Sequence, residues 1–85
     1  METCVDISLY PLKEDYRPLI LDFIKQLHRY DQIRVETNSM STQICGPYEL
    51  VFELLKTGIR DSFEKTGDQV FVVKILKIGD EPNKQ

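Results

Sequence analysis

The spacing of apolar residues switches back and forth between a period of two and a period of about 3.6, and few folds accommodate that alternation in a chain of 85 residues. From Cys4 to Tyr10, the apolar Val5, Ile7 and Leu9 alternate with Cys4, Asp6, Ser8 and Tyr10, which reads as a strand. Pro11 has no N–H for a ladder and is expected to end it. From about Asp15 to Tyr30, the residues Ile20, Phe23, Ile24 and Leu27 fall on one helical face, and Pro18 suits a first helical turn. Ile33, Val35 and Thr37 alternate with Arg34, Glu36 and Asn38 as a second strand. A turn at Asn38-Ser39 leads into a third, Met40 to Cys45, so that the two form a hairpin. Gly46-Pro47 is expected to break that strand and open a second helix, about Tyr48 to Lys65, with Val51, Leu54, Leu55, Ile59 and Phe63 as its apolar stripe. Gly58 inside it costs about 1 kcal/mol relative to Ala, which close packing on the sheet would offset. Thr66-Gly67-Asp68 stops the helix, and Gln69 to Ile78 is the last strand. Residues 1–79 read as one ligand-binding domain and 80–85 as a polar C-terminal tail that is expected to fray.

The order β-α-β-β-α-β is that of the split βαβ unit, an α+β, ferredoxin-like sandwich. With right-handed crossovers its antiparallel sheet runs 4-1-3-2 and both helices cover one face. The first and third strands are then antiparallel neighbours at the centre. A register that sets Cys4 beside Cys45 also sets Asp6 beside Gln43 and Ser8 beside Ser41.

The last strand breaks the usual pattern of a half-wet antiparallel strand. Phe71, Val73 and Ile75 occupy one side, and Val70, Val72, Leu76 and Ile78 the other. Apolar residues on both sides imply that the open sheet face is covered by a second sheet, from another copy (a homodimer or tetramer) or from a partner.

The centre of the sheet, by contrast, carries polar residues. Asp6, Ser8, Ser41, Thr42 and Gln43 form a ring that must pair internally, meet water or bind a ligand, because buried unpaired polar groups are costly. A carboxylate, a carboxamide and hydroxyls complement an aminopyrimidine, whose ring nitrogens accept and whose amine donates. Asn38 joins this set by polarity and position. Tyr10, Tyr48 or Met40 are candidates to flank a flat ring.

Ser8-Leu9-Tyr10-Pro11-Leu12, then Ser39-Met40-Ser41-Thr42-Gln43-Ile44-Cys45-Gly46, resemble the YkoF-like family of thiamine and hydroxymethylpyrimidine binders, and Val70-Phe71-Val72-Val73-Lys74 is similar too. The resemblance spans roughly Thr3 to Ile78. It implies a ferredoxin-like domain that binds thiamine or its pyrimidine moiety without chemistry or cofactor, in transport, sensing or storage. It also implies pocket roles for Ser41, Thr42, Gln43 and Gly46, and for Ser8 and Tyr10. The family includes tandem duplicated forms; this chain has one copy, and a homodimer would supply what duplication supplies elsewhere. A phosphorylated ligand would need a nearby cation, for which Lys13, Arg34 and Lys74 are candidates.

Other readings fare worse. The net charge of −3, with basic residues scattered among acids, argues against nucleic acid, and the third strand has none of the aromatics of an RNA-binding sheet. Between the first strand and first helix there is no glycine-rich phosphate cradle. The lone His28 completes no nucleophile–base constellation, so no enzyme is expected. The cysteines are far apart in sequence and form no metal-binding Cys-x-x-Cys, so no metal is expected either. No signal peptide or apolar span is visible, which makes the cytoplasm the default; Cys4 and Cys45 are then expected as free thiols, although adjacent strands would permit a bond. The chief competitor to ligand binding is a structural or regulatory interaction module that assembles through its open sheet face.

Overall fold

The computed structural model describes residues 1–12, 17–65 and 68–78. Its elements are β1 (Glu2–Pro11), α1 (Arg17–Leu27), β2 (Arg34–Thr37), β3 (Thr42–Pro47), α2 (Tyr48–Lys65) and β4 (Gln69–Ile78). The strands form one antiparallel sheet in the order β2-β3-β1-β4, the expected 4-1-3-2 arrangement. The pairs Cys4↔Cys45 and Asp6↔Gln43 stand directly opposite each other.

One face of the sheet carries the core. Val5 and Ile7 of β1 and Ile44 of β3 meet Phe23 and Leu27 of α1 and Val51, Leu54 and Leu55 of α2, all buried. These are positions picked out by the period-two and period-3.6 patterns; of the rest of the expected α2 stripe, Ile59 is partly buried against this core, and Phe63 is 52% exposed, meeting the Phe71 ring of β4 edge-on. Gly58 is buried in α2, and a Cβ there would come within 3.3 Å of the Phe23 ring. The close approach therefore serves helix-on-helix packing, not packing on the sheet. The Phe23 ring also stacks at a tilt on Phe71 of β4, with centroids 5.0 Å apart.

Element ends differ from the sequence reading in physically explicable ways. Proline does not stop β1 at Tyr10: Pro11 pairs with Gln69 of β4, and the Leu12 N–H donates to the Asp68 carbonyl. Beyond Ile7 the β1–β3 ladder has ended, so a terminal proline removes no bond from that side. The third strand begins later than Met40 because Asn38 builds the turn. Its Oδ1 accepts from the N–H groups of Met40 and Ser41, and its own N–H donates to the Ser41 carbonyl. Nor does Gly46-Pro47 break β3; the pair continues it, opposite Thr3 and Glu2, and α2 starts at the next residue. Helix α1 ends at Leu27, where the N–H groups of His28 and Arg29 reach back three residues in a tightened last turn. The expected helix start at Asp15, the cation candidate Lys13, the stop at Thr66-Gly67 and the tail from Gly79 lie outside the described residues.

The expectation of free thiols is corrected. Cys4 and Cys45 are joined by a disulfide on the open face of the sheet, because the register sets them opposite each other with Cα atoms 4.1 Å apart. Among the described residues no helix is long and apolar enough to cross a membrane.

Candidate ligand-binding site

The strands deliver polar residues to two places. Across the open face, one row runs Glu36, Gln43, Asp6, Lys74 over all four strands, and the row beside it runs Arg34, Cys45, Cys4, Leu76. Asp6 Oδ1 accepts from Ser41 Oγ and from Gln43 Nε2, both at 2.6 Å, and Gln43 Nε2 also donates to Ser41 Oγ at 2.8 Å. The hydrogen bonds from Ser41 and then Gln43, with the Lys74 charge, hold the Asp6 carboxyl below its ordinary pKa. The network is thus an ionised acceptor ringed by donors, and its members are half-buried. Arg34 is occupied by Glu2 at 3.0 Å on the same face.

The second place is a cleft of about 270 Å3 where the end of β1, the start of α1 and the β2–β3 turn converge. Ile7, Leu9, Ile20, Phe23 and Ile24 give it apolar walls; Ser8, Asn38, Ser39, Ser41 and Thr42 give it polar groups, and Tyr10 and Met40 border it. The Thr42 and Thr37 hydroxyls, 3.1 Å apart, share one hydrogen bond, which leaves the accepting hydroxyl with a proton to give. Asn38 has committed its Oδ1 to the turn, so its side-chain N–H2 is what remains for a partner. Ser41 belongs to both places. Its hydroxyl proton goes to Asp6 and one lone pair takes Gln43, so a single acceptor lone pair is left at the cleft margin.

The expected site residues therefore separate. Ser8, Tyr10, Asn38, Ser41 and Thr42 line the cleft together. Asp6 and Gln43 lie on the open face and act on the cleft by orienting Ser41. Thr42 does not share that face: it is buried on the helix side, so the single ring drawn from the sequence is split by strand parity. Gly46 is not at the cleft. It is buried against the 32–33 segment, where a Cβ would stand 3.1 Å from both the Gln32 carbonyl oxygen and Ile33 Cγ1. Tyr48 packs on Phe52 with centroids 4.8 Å apart, away from the cleft. Of the cation candidates, Lys74 and Arg34 lie on the open face. The sequence reading missed Ile20, Phe23 and Ile24 as cleft walls. Their signal was present in the α1 stripe; what was missing was that the stripe overhangs the end of the sheet. His28 is exposed in the turn after α1, and among the described residues no group of three or more His, Cys, Asp or Glu could hold a metal ion.

The chain is a two-layer α+β sandwich of the ferredoxin-like class, with a small cleft of apolar walls and hydroxyl and amide groups at one end of the sheet. The chain belongs to the YKOF-related family, whose model matches residues 2–80. Solved structures share the fold. A hypothetical protein of Methanocaldococcus jannascii superposes with a TM-score of 0.81 at 22% identity, over 98% of this chain and 87% of that one. A Thermotoga maritima protein that carries a provisional thiamine biosynthesis/salvage name superposes with a TM-score of 0.78 at 21% identity, over 88% and 82%. A Streptococcus pneumoniae protein does so with a TM-score of 0.77 at 15% identity, over 99% and 93%. No curated protein matches the chain.

Proposed function

We propose that this protein binds an aminopyrimidine, the pyrimidine half of thiamine or thiamine itself, without reaction, in the cleft between β1, α1 and the β2–β3 turn. The observation that carries the reading is the convergence of Ser8, Tyr10, Asn38, Ser41 and Thr42 on one hollow with apolar walls. A flat ring lies against Leu9, Ile20 and Ile24. Its nitrogens accept from the Asn38 amide and a threonine hydroxyl, and its exocyclic amine donates to Ser41 Oγ, which Asp6 fixes as an acceptor. Family membership and the provisional name of the Thermotoga maritima relative support the same ligand class.

The test is thermal unfolding and calorimetric titration with thiamine, thiamine phosphate and hydroxymethylpyrimidine. A ligand of the native state raises the melting temperature with concentration; the strongest of the three identifies the natural class. Ser41→Ala and Thr42→Val should remove the shift while the fold persists. Absence of a shift with all three compounds on folded protein defeats the proposal.

We further propose that a second copy covers the open sheet face. Tyr10, Val70, Val72 and Leu76 are exposed there, 54%, 45%, 45% and 59% of their full accessibility. Light scattering that gives a monomer at tens of micromolar removes this part. The competing reading, an interaction module without a small ligand, has its own support: Asp6, Ser41 and Gln43 already satisfy one another. It predicts assembly without any ligand-induced shift.

A further inference from the structure

We propose that Cys4 and Cys45 are a reversible dithiol/disulfide site, exchanged by a thiol or dithiol reductant at the open sheet face and sensed by the adjacent Asp6–Gln43 rung. The two sulfurs are not part of the core. They are joined on the face opposite the helices, both cysteines are half-buried, and both line a groove of about 400 Å3 together with Asp6, Glu36, Gln43 and Lys74. In the single chain an incoming thiolate has room to reach them, and access is what separates an exchangeable disulfide from an inert one; the second copy proposed above would close that route. The bond is also not what sets the register. A continuous ladder from Glu2↔Pro47 to Ile7↔Thr42 already pairs β1 with β3, so the sheet persists when the sulfurs separate.

A thiolate attacks one sulfur; a new S–S bond forms there as the Cys4–Cys45 bond breaks, and the other cysteine leaves with the electron pair and takes up a proton. The second thiol of a dithiol reductant then displaces the mixed disulfide and frees the second cysteine. Two electrons and two protons have passed to the protein, and the reductant is left as its disulfide. Reduction replaces the covalent cross-link at this rung with two thiol groups, each a weak hydrogen-bond donor and acceptor. The next rung on the same face is Asp6↔Gln43, whose side chains are bonded to each other and to Ser41. That network registers the change.

The test uses the full chain with no ligand and at a dilution where light scattering gives a monomer, so its outcome is independent of the proposed vitamin binding and of the proposed second copy. The oxidised protein is treated with dithiothreitol, and separately with a thioredoxin-type dithiol, then alkylated and weighed. Two alkyl groups are expected to appear at a rate that low urea does not change, and a glutathione redox buffer should restore the disulfide. Amide resonances of Asp6, Ser41 and Gln43 should shift on reduction while those of α2 hold still. Cys4→Ser/Cys45→Ser should reproduce the reduced pattern without reductant; should that variant fail to fold, Cys4→Ala/Cys45→Ala serves. Reduction that occurs only in step with global unfolding, failure to reoxidise, or shifts spread evenly over the chain would each overturn the proposal.

Discussion

Along β1, the side chains that point at the helices, Thr3, Val5 and Ile7, are almost wholly buried, while those between them, Cys4, Asp6 and Ser8, are half-exposed. The same alternation runs along β3, with Thr42, Ile44 and Gly46 inside and Gln43 and Cys45 outside. Two faces of one sheet thus follow different rules. The inner face is held by apolar burial and close fit, which leave little choice of residue. The outer face carries a hydrogen-bonded carboxylate, a disulfide and an exposed apolar strip on β4, none of which the core requires. Stability resides mainly on one side, and the features open to function on the other side and at the margin where the cleft lies.

Substitutions can break that division. The largest effect is expected from Ile44→Ala, fully buried at the centre of the inner face: about 2–5 kcal/mol of lost stability by chemical denaturation. If it costs no more than an outer-face change, the inner face is not the core. Removing the outer-face disulfide should cost about 2–4 kcal/mol, because the bond closes a loop between residues 41 apart and constrains the unfolded chain. This is the one outer-face change expected to rival a core mutation, and denaturation with and without reductant measures it. Gly46→Ala, tight against Gln32 and Ile33, should cost about 1–3 kcal/mol through overpacking, with no selective loss of ligand affinity. A selective loss would return Gly46 to the site. Val72→Thr, on the exposed strip, should change monomer stability by no more than about 0.5 kcal/mol, yet weaken self-association in sedimentation experiments.

The smallest effect expected is electrostatic. Asp6 on the outer face and Asp61 on the helical surface both have lowered pKa values, Asp6 chiefly from Ser41 and Gln43, Asp61 chiefly from Lys65 and then Gln26. A carboxyl whose folded pKa lies below its unfolded value binds fewer protons when folded. Its contribution is therefore complete above the unfolded value, near 3.8, and is lost as pH falls through the lower folded one. Lys65, raised by Asp22 and then Asp61, behaves oppositely: its contribution is complete below its ordinary value and is lost as pH rises through the folded one. Asp6→Asn should flatten part of the acid limb of stability and leave the alkaline limb intact, as read from denaturation across pH. An unchanged acid limb would mean that the Asp6 network contributes nothing to folding.

Much of this architecture was legible in the chain. The α1 stripe of Ile20, Phe23, Ile24 and Leu27 and the extent of β4 follow from local periodicity, because each is fixed by which side of an element must leave water, and the Cys4–Cys45 register agrees with strand parity, which allows shifts by two without choosing among them. The misplaced features depend on contacts distant in sequence. Thr42 was grouped with Gln43 although adjacent strand residues point to opposite faces. Gly46 was given a pocket role from a family segment, whereas its lack of a side chain serves contact with the 32–33 segment. The free thiols were inferred from an assumed compartment, and the strand pairing brought the two sulfurs together regardless.

The sequence by itself determined the element order, the sheet order and the face that becomes the core, since patterning and chain connectivity leave one economical way to bury the apolar stripes of both helices. The pairing of Asp6 with Gln43 was expected from the sequence and is found; only the tertiary structure decided that Ser41 bonds to Asp6, since the β1–β3 ladder ends at Ile7↔Thr42 before it reaches Ser8. The cleft exists because α1 overhangs the sheet end beside a turn that Asn38 ties. Hydrogen bonds and hollows are set by separations of ångströms between parts of the chain far apart in sequence, and periodicity carries no information at that scale.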